Sequence, residues 1–136
     1  MFTTLQRKVF GILLIGTFQY LIDYNHNKCY DPSATLNINN RKLLQLHHII
    51  NMYILIGGFL FNPLYHLIFI VLTMLHWITN NNKCFLTEIV NKNCNWSEDK
   101  EFYDFIEMSG INKLVPNTDW YVLLSLAIYD IYKIYE

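Results

Sequence analysis

Four apolar stretches, each about 15 to 17 residues long, dominate this chain and limit what it can fold into. They cover residues 9–24, 43–57, 63–79 and 120–135. Runs of this length exceed ordinary strands, so each reads as a helix. Crossing a bilayer core takes about 20 apolar residues, with a lower limit near 17, and composition bears on which setting they suit. Apolar residues make up 53% and charged residues only 15%, against roughly 25% charged in soluble domains. The surface of a water-soluble fold would be starved of charge. The sequence therefore predicts an all-α, integral membrane four-helix bundle formed by a single domain, residues 1–136. A soluble bundle with core helices of the same length is the alternative. The first stretch follows Arg7 and Lys8, as a signal peptide would, but no small-residue cleavage site follows it, so it reads as a retained helix.

The connections are equally informative. Between the second and third stretches lies GGFLFN, residues 57–62, which reads as a tight turn. Asn62 followed by Pro63 marks a helix start, since Asn caps free amides and Pro at the first position has no amide to leave unpaired. The longer connections, 25–42 and 80–118, are polar, rich in Asn, and fall on one side, the loop face. Within the second, Ser97, Glu98 and Asp99 open a short amphipathic helix that places Phe102, Phe105 and Ile106 on one side and ends before Gly110.

Charge gives two answers about orientation. The loop face holds Lys28, Arg41, Lys42, Lys83, Lys92, Lys100 and Lys113, and the terminal face Arg7, Lys8 and Lys133, so a total count makes the loop face cytoplasmic. Arg7 and Lys8 directly before the first helix favour cytoplasmic termini, and the first helix usually dominates. Cys29, Cys84 and Cys94 all lie on the loop face, which suits an oxidising, lumenal or external side. That orientation is the expectation adopted. Cys84 and Cys94 are the nearest pair for a disulfide, with three unpaired thiols as the alternative. Asn95-Trp96-Ser97 is a glycosylation sequon on the same face.

Ionisable residues inside apolar spans are costly and mark sites or interhelical contacts. At 1.5 Å per residue, His47 and His48 lie roughly 6 to 9 Å inside the loop-face end of the second helix, level with His76 on the antiparallel third. Gln19, Tyr20 and Asp23 reach this layer from the first helix, and Asn51, Thr73 and Asp119 from the others. Cys84, Thr87 and Glu88 follow just outside. Because His47 and His48 point about 100° apart, only one can face His76. His66, near the terminal face, reads as an isolated interfacial histidine. Three chemistries could use the layer of His47, His48, Asn51, His76 and Asp23: axial haem ligation, against which the shallow depth and the crowded short helices argue; zinc held by His with Asp23, Glu88 or Cys84; or a proton relay or hydrogen-bonded lid for a lipid headgroup. Histidines that merely bond across helices and fix their packing are the structural alternative. No HExxH, GxSxG, P-loop, CxxC or potassium-filter motif occurs, so the pattern names no metal, cofactor or catalytic residue.

With a net charge of −1 and a pI near 6.5, the chain has no basic stripe for nucleic acid. Its partners are expected to be the bilayer and, because short spans gain from association, other copies or other membrane proteins. Its wealth of Ile, Asn, Lys, Phe and Tyr matches an AT-rich genome, such as those of several large DNA viruses. His76-Trp77, followed by Cys84-Phe85-Leu86-Thr87-Glu88, resembles the end of the third helix in an uncharacterised family of small four-helix membrane proteins, where a Cys-Pro-Leu-Thr-x-x-Glu segment follows a histidine-bearing helix. The resemblance covers about 30 residues and departs at Phe85 and Glu88. It implies the four-helix architecture and a grouping of His76 with Cys84 and Thr87, and no chemistry. The functional expectation is a small multi-span membrane protein with a structural or associative role, the alternative being a ligand, metal or cofactor site in the histidine layer.

Overall fold

The computed structural model describes residues 3–26, 38–94, 96–97 and 105–136, and every regular element among them is helical. The helices are α1 (Thr4–His26), α2 (Ile38–Leu60), α3 (Pro63–Thr79), α4 (Phe85–Asn93), α5 (Phe105–Ser109), α6 (Ile111–Leu114) and α7 (Thr118–Tyr135). Two antiparallel pairs, α1 with α2 and α3 with α7, form the body, and α2 joins them by also packing on α3, α4 and α7.

Local chemistry sets the boundaries of α3. Asn62 caps it by accepting the Leu64 amide at 2.9 Å with Pro63 in the first turn, as the sequence predicts. At its far end Asn81 and Asn82 both adopt positive φ, 52° and 61°, a region asparagine tolerates better than most side chains. That lets the chain reverse into α4.

Two expectations are corrected. The second helix does not stop at residue 57: it continues to Leu60, so Gly57 and Gly58 sit inside α2 and the turn is reduced to Phe61 and Asn62. Glycine within a helix costs up to about 1 kcal/mol; here its use is clearance, described below. Second, the connection after α3 contains α4, whose apolar Phe85, Leu86, Ile89 and Val90 recur at helical spacing. It buries Val90 against Leu44 of α2 and Cys94. Of the short helix expected from Ser97, residues 98–104 lie outside the described residues; the described part is α5, then Gly110 at φ 69°, then α6.

One described helix, α2 over Arg41–Leu60, is long and apolar enough to cross a membrane, and α3 is apolar but shorter at 17 residues. In α1 and α7 charged and polar residues interrupt the apolar run. Their placement inverts the usual order of a soluble protein. The buried residues of α1 are Ile12, Gly16, Gln19 and Asp23, whereas Phe10, Leu14, Phe18 and Leu21 are exposed. In α7, Thr118, Leu123 and Asp130 are buried and Tyr121, Leu124, Ile128 and Ile131 exposed. Both helices turn polar groups inward and an apolar stripe outward.

Candidate functional site

The inward polar groups fall into two kinds of place: buried histidine–aspartate pairs and an open cavity. In the first pair, His48 Nε2 of α2 lies 2.8 Å from Asp23 Oδ2 of α1, both side chains being 0% exposed. The pair is set in a close helix crossing. A Cβ on Gly16 of α1 would stand 2.7 Å from the Ile49 Cα, so glycine is what lets α1 reach α2 here. Gln45 of α2 donates to Thr17 Oγ1 of α1 at 3.1 Å nearby.

The second pair was not anticipated. His66 is neither isolated nor interfacial: Nδ1 lies 2.5 Å from Asp130 Oδ2 of α7, with both side chains 0% exposed. Its Nε2 lies 2.9 Å from the Ile54 carbonyl and 3.2 Å from the Tyr53 carbonyl, both of α2. A carbonyl only accepts, so Nε2 carries a hydrogen and donates it. A contact of 2.5 Å between Nδ1 and a carboxyl oxygen then requires a second hydrogen on one of those atoms. Each polar group of His66 therefore has a partner inside the bundle, and paired burial is what a dry interior tolerates. Gly57 and Gly58 make the room. A Cβ on Gly58 would meet Asp130 Oδ1 at 2.3 Å and His66 Nδ1 at 2.8 Å, and one on Gly57 would meet the His66 ring at 2.7 Å.

At the opposite, loop end, residues from α2, α3, α4 and the α5–α7 segment surround a cavity of about 780 Å3. Of the residues singled out from sequence, His47, Asn51, Thr73, His76, Cys84, Thr87 and Asp119 line it. His48 and Asp23 do not belong to it, because His48 turns to α1; the 100° separation of the two histidines splits them between two sites. Glu88 instead accepts a hydrogen bond from Asn80 Nδ2 at 3.0 Å. The apolar wall includes Ile54, Phe69 and Leu86, with Trp77 and Trp120 meeting edge to face at 5.8 Å.

Two contacts tie histidines to the start of α4. The Phe85 amide donates to His76 Nε2 at 3.1 Å, so His76, on a different helix, satisfies one of the amides that a helix N-terminus leaves free. The cap residue Cys84 makes no side-chain hydrogen bond to that terminus. Its Sγ lies 3.7 Å from His47 Nδ1, and the His47 ring is held edge-on against His48 at 5.4 Å.

The cysteine pairing expected from sequence is corrected. Cys84 is a free thiol and Cys94 is disulfide-bonded, so the two are not joined to each other. The one other cysteine in the chain, Cys29, lies outside the described residues, as does the sequon asparagine, Asn95. No group of three or more His, Cys, Asp or Glu side chains with metal-binding geometry occurs among the described residues. Comparison with known protein families, curated proteins and solved structures finds no match to this chain.

Proposed function

We propose that the protein is a four-span integral membrane protein that holds an amphiphile from the bilayer in the cavity at its loop end. The observation that carries the ligand reading is the cavity itself. At about 780 Å3 it falls in the range of small-molecule sites, roughly 300 to 1,000 Å3, with an apolar wall for a chain and His47, Asn51, Thr73 and Thr87 for a polar head. The inverted order of α1 and α7 supports the embedding: ionisable residues in membrane helices face the bundle interior and pair there. Asp23 and Asp130 do so, leaving Phe10, Leu14, Phe18, Tyr121, Ile128 and Ile131 toward lipid. A purely structural or associative role would keep that exterior but gives the cavity no use.

At roughly 26 Å for its 17 residues, α3 is short against a hydrocarbon core of about 30 Å. Oligomerisation relieves such a mismatch, so self-association belongs to the proposal. In the proposed orientation, supported by Arg7 and Lys8 directly before the first helix, both termini are cytoplasmic and the cavity end is lumenal or external.

Four measurements test this. The protein should stay in the pellet when membranes are washed at alkaline pH, and crosslinking in membranes should give more than monomer. A brominated fatty alcohol should quench Trp77 and Trp120 saturably, at about one equivalent, with the effect lost in Thr73→Phe. Linear quenching that Thr73→Phe leaves unchanged would refute the ligand site. Finally, an impermeant maleimide applied to intact cells or sealed vesicles should label Cys84 without reduction and Cys94 only after it. Labelling that begins only once the membrane is opened would invert the topology.

A further inference from the structure

Resting on the reading of the cavity as an amphiphile site, we infer that Cys84 is an acyl-accepting nucleophile within it and His47 the base that activates it. The substrate class is a long-chain acyl ester or acyl thioester. A thiol is a weak nucleophile until its proton is taken, and an adjacent imidazole is the common means of taking it. Cys84 Sγ stands 3.7 Å from His47 Nδ1, and both residues line the cavity. The His47 ring also packs edge-on against the ring of His48, which is itself pinned to Asp23. Cys84 remains a thiol in a chain that forms a disulfide at Cys94.

Position on α4 adds the electrophilic half. Helix geometry leaves the amides of the first turn without intrahelical acceptors. That of Phe85 goes to His76; those of Leu86 and Thr87 belong to residues that line the cavity beside the thiol. Backbone amides next to a nucleophile are the donors that stabilise the oxyanion of acyl transfer.

The step balances without a redox partner. The Cys84 sulfur bonds to the acyl carbonyl carbon as its S–H proton passes to His47 Nδ1. The carbonyl reforms and the bond to the leaving alkoxide or thiolate breaks. The leaving group takes the proton back from His47, so the products are an acylated Cys84 and a free alcohol or thiol. Ile54, Phe69 and Leu86 would lie along the acyl chain.

The test uses the purified full chain in detergent micelles with p-nitrophenyl decanoate and p-nitrophenyl acetate. We expect a burst of about one equivalent of p-nitrophenolate with decanoate, a decanoyl mass on the Cys84 peptide, and a much slower reaction with acetate. Cys84→Ser should abolish the burst, and His47→Gln should slow it about 100-fold or more, the usual span of general-base catalysis. Unchanged tryptophan emission would show that the variants keep their fold. Should His47→Gln misfold, the wild-type chain unfolded in SDS serves instead, and the folded thiol must react faster than the unfolded one. Equal rates there, acetate matching decanoate, or a His47→Gln burst at the wild-type rate would overturn the inference. Saturable binding of brominated decanol with no acylation of Cys84 would overturn it while leaving the ligand reading intact. Absence of decanol binding would remove both.

Discussion

The two ends of the bundle use the same residue types to opposite effect. At the terminal end His66 is closed in by three helices: Asp130 takes one nitrogen and the α2 carbonyls take the other. At the loop end His47 and His76 look into open space and bond to the start of α4. Glycine accounts for the first arrangement. Gly57 and Gly58 allow α2 to approach until no side-chain volume is left over. At the second end no glycine among the described residues stands at the contact; Asn51 and Thr73 on the facing helices and Asn81 and Asn82 of the α3–α4 turn line the cavity instead. Burial with a full set of partners makes a histidine a fastening, while the same ring at the other end borders a cavity.

Removing one partner from the closed end gives the largest effect expected in the molecule. Asp130→Ala would leave His66 Nδ1 buried without its partner, and breaking a buried pair in this way costs about 3–5 kcal/mol. Unfolding in detergent should show that loss directly, whereas His66→Leu with Asp130→Leu should recover much of it, because replacing both members removes the desolvation penalty along with the attraction. If Asp130→Ala were as stable as the parent, the pair would not be what fastens α3 and α7. Gly58→Ala attacks the same place sterically. Its methyl group would need the space of Asp130 Oδ1, and overpacking of this kind costs about 1–3 kcal/mol. Gly11, whose Cβ would meet nothing within 4 Å, is the control: Gly11→Ala should be neutral or stabilising, as alanine is the better helix former.

How much of this was readable from sequence differs between the two ends for physical reasons. The start of α3 at Asn62 and Pro63 was legible because a cap is local chemistry written in adjacent residues. The convergence of α2 and α3 on a polar layer was legible because antiparallel helices bring His47 and His76 level by counting residues. The same counting, applied at the other end, puts His66 near the start of α3 level with Asp130 near the end of α7; reading His66 as a lone interfacial residue missed this signal. Gly57 and Gly58 misled because adjacent glycines serve a turn and a close helix contact equally well, and only the partner's position separates the two. Which of His47 and His48 faces the cavity depends on how α2 is rotated about its axis, and the contact that bears on this, Ile49 of α2 against Gly16 of α1, brings in a residue about 30 positions from either histidine.

The smallest expected effect sharpens the comparison most, because it asks whether the loop end is also a fastening. His76 accepts one hydrogen bond, from the Phe85 amide, and has room beside it. Interhelical bonds of this kind in membrane proteins average about 0.6 kcal/mol, with a maximum near 1.7. His76→Ala should therefore lower stability by about that amount, far less than Asp130→Ala, while loosening the start of α4. Since Cys84 is the cap residue of α4, the change should appear more clearly in chemistry than in melting: the Cys84 thiol should react with a small maleimide at a different rate from the parent's. Amide exchange at Phe85 and Leu86 should speed up, with Asn62 at the start of α3 unaffected. A destabilisation approaching that of Asp130→Ala would mean that His76 holds the bundle together as His66 does, and that the two ends differ in openness but not in kind.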